Sequence, residues 1–268
     1  MKVLLVAVVA VAVAVTGGVL AYFLIPRGGG PQGPGIAYFC AGFSPAPLQA
    51  IQLVESGRLQ SSIAYQGQTL CVGTRLSQQQ IQYLRNLTSA SPAVGSSDAK
   101  VVVLEYLDPT CPYCALFDAQ YGAVLDQYIR NGTVLYAVRY FPTHVLGYLQ
   151  QGQPQQFDAG VRTWLGLMCI YNRNGSAAFS ESLRAVYAIA ASYIVNYLRT
   201  GNATALDVYP LREISYIGSA YPQCAVNAPS SQLVETAQSA INAVSAEAKA
   251  LGIPNDMLGT PLFVIYGG

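Results

Sequence analysis

Short apolar runs alternate along this chain with longer stretches in which apolar residues recur every three or four positions. Val101-Val102-Val103-Leu104-Glu105-Tyr106-Leu107 is a nearly continuous apolar run of strand length, the pattern of a strand buried on both faces. After it, Phe117, Tyr121, Val124, Leu125 and Tyr128 recur at helical spacing and Asn131-Gly132 supplies a stop. Thr133 to Phe141 reads as a second strand ended by Pro142, and Leu262 to Tyr266 as a third opened by Pro261. Upstream, the pattern predicts a hairpin around Ile63 to Val72 and a helix from Ser77 to Leu87, with Ser77 as its N-cap. Ser89 to Ser97 reads as a polar linker. The sum is an α/β chain.

The N-terminus departs from this pattern. Val3 to Ile25 carries no charge and is flanked by Lys2 and Arg27. A helix over it would span about 34 Å, enough for an apolar bilayer core of about 30 Å. A cleaved signal segment usually has an apolar region of only about 7–15 residues. The expectation is therefore an N-terminal transmembrane helix within residues 1–27, kept as an anchor. Lys2 on the short side favours a cytoplasmic N-terminus and an extracytoplasmic bulk. Residues 28–98 then form a Gly/Pro linker and small extension, and residues 99–268 the main domain.

Charge narrows the function. The net charge is +1 over 268 residues, with no basic patch dense enough for nucleic acid. His144, the only histidine, reads as a loop residue after Pro142. It leaves no histidine set for zinc or for Ser-His-Asp chemistry. No metal or other cofactor is expected. Six cysteines beside a membrane-targeting segment fit an oxidising setting. So do glycosylation sequons at Asn86, Asn131, Asn174 and Asn202.

The candidate chemistry sits where the first strand meets the first helix. Cys111-Pro112-Tyr113-Cys114 would place Cys111 at a helix N-terminus, where free backbone amides and the helix dipole favour negative charge. Such positions lower a cysteine pKa from about 8.5 into the range of roughly 3.5–7.5. Pro112 suits the first helical position, since its missing N–H would have no partner there. Cys111 is the expected nucleophile, and Cys114 the thiol that resolves a mixed disulfide. Glu105, alone in the apolar strand, is a candidate buried acid that relays a proton to or from Cys114.

Glu105, Asp108-Pro109-Thr110-Cys111-Pro112-Tyr113-Cys114, Phe117-Asp118, Phe141-Pro142 with His144, and Gly259-Thr260-Pro261 together resemble the DsbA-like branch of the thioredoxin superfamily. The resemblance covers residues 99–268 and implies a thioredoxin-like fold with a helical insertion at about residues 143–258. It implies a cis Thr260–Pro261 peptide beside the dithiol, with Thr260 and Pro261 binding substrate through backbone. The four remaining cysteines allow three pairings or buried free thiols; the expected pairing is Cys40–Cys71 and Cys169–Cys224, which keeps one bridge in the extension and one in the insertion. Tyr187, Tyr193, Tyr197, Tyr209, Tyr216 and Tyr221 would pack its helices or line a groove for unfolded substrate. The family continues past the cis-proline strand with a partner strand and a helix. Either a longer protein or the N-terminal extension would supply that layer here.

The function expected is that of a membrane-tethered extracytoplasmic thiol:disulfide oxidoreductase acting on cysteine-containing proteins, as a dithiol oxidant. By resemblance, a membrane partner linked to quinone reoxidises it. Pro-Tyr between the cysteines adds no positive charge and implies a mild oxidant. One alternative is an isomerase or reductase, with residues 36–98 as a dimerisation domain. The other is an anchored binding module or chaperone in which the Cys111–Cys114 bridge is structural.

Overall fold

The computed structural model describes residues 35–202 and 204–267. From Pro34 onward the chain forms one compact unit around a mixed seven-stranded sheet. Its strands are β1 (Gly35–Ala41), β2 (Ser62–Tyr65), β3 (Gln68–Leu76), β4 (Ala93–Val94), β5 (Val101–Leu107), β6 (Val134–Tyr140) and β7 (Leu262–Gly267), in the spatial order β2-β3-β1-β7-β5-β6-β4. β5 runs parallel to β6 and antiparallel to β7, and all seven of its residues are buried. That central position explains why the sequence of β5 shows no polar face.

Side chains alternate across the sheet with period two. Val102, Leu104 and Tyr106 face one side with Ala37, Phe39, Val264 and Tyr266. The helix α2 (Gln78–Ser89) and the long C-terminal helix cover that side through Ile81, Leu84, Val244, Ala248 and Leu251. Val101 and Val103 face the other side with Tyr38, Phe263 and Ile265, under Ala50 and Ile51 of α1 (Ala46–Glu55). Ser77 caps α2 with a full capping box, its hydroxyl accepting from the Gln80 amide, which satisfies two otherwise free donors.

Two features differ from the sequence reading, and a third takes up one of the two alternatives it left open. The segment read as a polar linker contains β4, two residues that pair with Ala137 and Tyr136 of β6. The helix after Cys114 is not continuous: α3 (Pro112–Phe117) passes through a π turn over Asp118–Gly122 into α4 (Ala123–Arg130). The turn rotates the apolar stripe, so Phe117 and Leu125 are buried while Val124 is 38% exposed. And the extension is part of the sheet itself. β1 pairs antiparallel with β7 on one side and β3 on the other. It thus supplies the strand beside the cis-proline strand, with α1 packed over the same face.

The insertion comprises α5 (Thr143–Gln150), α6 (Pro154–Thr200), α7 (Thr204–Ala220) and α8 (Ser230–Leu251). Gly175, at φ +84°, breaks α6 into two segments; that conformation suits a residue without a Cβ. Tyr187 and Tyr209 are buried in the core that the insertion shares with Cys111 and Cys114, so these two tyrosines pack helices rather than line a surface groove. Cys40 stands opposite Cys71 in the β1–β3 register and the two form a disulfide; Cys169 and Cys224 form the other. Among the described residues no helix is long and apolar enough to cross a membrane. The anchor expected within residues 1–27 lies outside them.

Candidate active site

Cys111 is the N-cap residue of α3 and Pro112 its first helical residue. The Cys111 amide donates to the Asp108 carbonyl at 2.9 Å, closing the turn that carries the chain from β5 into the helix. Both Cys111 and Cys114 are free thiols and both are buried, whereas Tyr113 between them is 54% exposed. The motif therefore shows solvent its tyrosine more than its sulfurs.

The two thiols differ electrostatically. Burial pushes Cys111 up, but hydrogen bonds with the thiol and amide of Cys114 and with Thr260 outweigh it, so Cys111 lies below the ordinary cysteine value. Burial, the hydrogen bond to Cys111 and the charges of Cys111 and Glu105 hold Cys114 well above that value. The arrangement separates a ready thiolate from a thiol that must lose its proton before it can attack.

Thr260 and Pro261 lie directly against this pair. Their peptide is cis, and the Cys111 thiol donates to the Thr260 carbonyl at 3.2 Å. The Thr260 and Thr143 hydroxyls bond each other at 2.7 Å, tying this loop to the start of α5. The Pro261 carbonyl accepts from the Gly42 amide at 3.1 Å. Next to Gly42, Phe43 stacks on Tyr113 with ring centroids 5.4 Å apart. The N-terminal extension thus reaches the rim of the dithiol, a contact that sequence reading did not foresee.

Glu105 sits beneath Cys114 and is 2% exposed. Burial raises its pKa to about 8, against the opposing pull of a hydrogen bond from Tyr136; the charges of Asp118 and Cys111 raise it further. At that value the carboxyl can give or take a proton near neutral pH. Glu105, Cys114, Tyr136, Asp118 and Arg184 line one narrow pocket of about 20 Å³, room for about one water. Asp118 is itself raised to about 6, by burial first and the charge of Asp126 second, with Arg184 opposing.

A second carboxyl, Asp108, organises the other flank. It is fully buried and accepts from the Thr110 amide at 3.0 Å and the Thr110 hydroxyl at 2.8 Å. Its other oxygen accepts from the amides of His144 and Val145 at 3.0 and 2.8 Å, capping α5. Burial raises its pKa, opposed by the charge of His144 and these hydrogen bonds. His144 is therefore no loop residue: it lies in the first turn of α5, and its ring reaches to within 3.3 Å of the Tyr209 hydroxyl. Tyr136, Asp108, His144 and Tyr209 all touch the site, and only Asp108 and His144 belonged to the motif string read from sequence.

Comparison with known proteins bears on part of this region. A thioredoxin family model matches residues 87–153, which span the dithiol, β5, β6 and the start of the insertion. A Rickettsia bellii protein named "Putative protein-disulfide oxidoreductase" is 41% identical over 49 residues, which is 18% of this chain and 19% of that protein. This chain thus spans about a fifth of the length of that curated relative. The crystal structure of Wolbachia pipientis alpha-DsbA1 aligns over 65% of this chain and 74% of its own at 21% identity, with a TM-score of 0.40. Oxidised BdbD from Bacillus subtilis aligns over 66% and 82% at 16% identity, with a TM-score of 0.39. The catalytic domain of Proteus mirabilis ScsC gives 70% and 85% at 16% identity, with a TM-score of 0.41.

Proposed function

We propose that this chain, a DsbA-like protein with a thioredoxin-like fold, is a thiol:disulfide oxidoreductase that exchanges its Cys111–Cys114 pair with cysteines of other proteins. One observation carries the reading. A thiol with lowered pKa at a helix N-terminus contacts the Thr260 carbonyl, while its partner thiol is held protonated over a buried acid.

In the oxidising direction a substrate thiolate attacks Sγ of Cys111 in the Cys111–Cys114 disulfide. The S–S bond breaks, Cys114 leaves as a thiolate, and protonated Glu105 supplies its proton. A second substrate thiolate then attacks the substrate sulfur of the mixed disulfide. Cys111 leaves as a thiolate, the substrate is oxidised, and the protein holds the dithiol. In reverse, the Cys111 thiolate attacks a substrate disulfide, and Glu105 takes the Cys114 proton as Cys114 resolves the intermediate.

The protein is tethered by residues 3–25, its catalytic domain is extracytoplasmic, and a membrane redox partner reoxidises it. Exposed side chains at Asn86, Asn131, Asn174 and Asn202 support a glycosylated outer surface. The dithiol acts as a mild oxidant. Isomerase or reductase action on the same site is the second reading. The extension lies within the main sheet, which removes the argument for residues 36–98 as a separate dimerisation domain.

The test is the reduction potential of the 111–114 couple in the full chain, by equilibration with glutathione buffers. A value near or above about −200 mV supports oxidising or isomerising exchange. A value below about −300 mV, without exchange on cysteine peptides, leaves a structural bridge and ends the enzyme reading.

A further inference from the structure

Tyr209 lies in α7, far from the dithiol in sequence, yet its hydroxyl donates to the carbonyl of Thr110, the residue immediately before Cys111. The tyrosine is 1% exposed and Thr110 is fully buried. Because the single hydroxyl proton goes to Thr110, the contact with His144 Nε2 at 3.3 Å requires the imidazole to be the donor. The order is therefore His144 Nε2–H to Tyr209, and Tyr209 O–H to the Thr110 carbonyl.

The sequence builds this arrangement from both sides. Pro210 follows Tyr209 inside α7 and lacks the N–H that would bond the carbonyl four residues back. That carbonyl belongs to Leu206, and the Tyr148 hydroxyl of α5 donates to it at 3.3 Å. The helix is thus pinned to α5 beside Tyr209. On the opposite side Gly160 of α6 lets the helix close on the loop. A Cβ there would lie 2.5 Å from Val145 Cγ2 and 2.8 Å from Thr110 Cγ2. Glu213, one turn beyond Tyr209, is fully buried with no hydrogen-bond partner among the described residues. Burial first, and the charge of Asp108 second, push its pKa well above the ordinary glutamate value.

We infer that Tyr209, backed by His144, is a positioning residue for Cys111: the helical insertion holds the backbone before the nucleophile so that its thiolate is favoured. The inference rests on the exchange reading of the dithiol. A carbonyl held by a donor keeps its negative end turned away from the adjacent sulfur. Released, the Thr110 carbonyl can swing toward Cys111 and oppose charge there, while the N-cap geometry loosens.

Tyr209→Phe in the full-length protein tests this by titration of Cys111, followed through its thiolate ultraviolet absorbance in the reduced state. The expected result is a midpoint about one unit higher, with reduction of a peptide disulfide by the dithiol form several-fold slower below that midpoint. An unchanged midpoint, with the oxidised and reduced forms melting lower by the same amount, would mean that Tyr209 only supports the fold and would overturn the inference. His144→Leu, which removes the Nε2 donor and keeps Tyr209, gives the second reading. A smaller rise in midpoint supports the inference; a folded variant with no rise overturns it. If the unsubstituted protein fails to exchange with the peptide, the thiol-exchange reading falls. The titration then decides the role of Tyr209 separately.

Discussion

The Tyr136 hydroxyl donates to Oε2 of Glu105 at 2.5 Å, so the one acid in β5 is held by a phenol from the adjacent strand β6. The bond favours the carboxylate, while burial favours the neutral acid. Their balance decides whether Glu105 holds a proton when Cys114 needs one.

Tyr136→Phe removes that donor. The Glu105 pKa is expected to rise further, by about one unit for a bond worth roughly 1–2 kcal/mol. Resolution of the mixed disulfide, which needs Glu105 ionised to accept the Cys114 proton, then requires higher pH. The pH profile of that step, measured by stopped-flow reduction of a peptide disulfide, should move in the alkaline direction. An unmoved profile would remove Tyr136 from the proton chemistry.

Glu105→Gln tests the acid itself. Proton-limited steps at Cys114 should slow by roughly 100-fold or more, with little change in the first attack by Cys111. The same substitution changes stability with a definite sign. A carboxyl raised from 4.5 to about 8 holds its proton in the folded state where the unfolded chain has lost it. That contribution is fully present below about 4.5 and is lost as pH rises through about 8. Chemical unfolding at pH 5 and pH 8.5 should therefore show the wild type losing stability relative to Glu105→Gln as pH rises. A constant difference between the two proteins would contradict a buried, protonated Glu105.

Cys111→Ser should abolish exchange. Cys114→Ser should leave Cys111 able to attack and unable to be released, so mixed disulfides with substrate proteins accumulate. Mass spectrometry of non-reduced protein distinguishes the two: trapping by Cys111→Ser alone would reverse the assigned roles, and equal trapping by both variants would remove the distinction between them.

Removing the Cys169–Cys224 bridge by paired alanines frees a loop closed across 55 residues. The loss expected from chain entropy is about 4 kcal/mol, read as a lower denaturant midpoint. The reactivity of Cys111 should stay within about twofold, since the bridge acts mainly on the unfolded chain. A large change in reactivity would instead tie the bridge to the site.

Much of the site is local in sequence, and that part was legible. Cys111, Pro112 and Cys114 announce a helix N-terminus by spacing alone, and Glu105 stands out because every neighbour in its strand is apolar. Cys40 and Cys71 could be paired on paper because the extension holds no other cysteine. Tyr136 and Tyr209 could not be found that way. They reach Glu105 and Thr110 across 31 and 99 residues, and nothing local distinguishes them from other tyrosines. β4 escaped because two residues carry no period. β1 escaped as a strand, although the extension is one of two sources expected for the layer beside β7; its partner lies more than two hundred residues away and no local pattern points to it. The π turn at Asp118–Gly122 escaped because Phe117 and Tyr121 fit an unbroken helix equally well.

The position of β1 also sets an order of events during synthesis. Phe39 pairs with Val264 and Cys40 with Phe263, so the middle of the sheet closes only after residues near 265 have left the ribosome. Until then β5 lacks one neighbour, and the Thr260 carbonyl that Cys111 meets does not yet exist. A sheet joined by such distant pairings folds slowly relative to one built from local contacts. Cys111 and Cys114 leave the ribosome well before Thr260, so the contact between Cys111 and the cis-proline loop is among the last parts of the site to form.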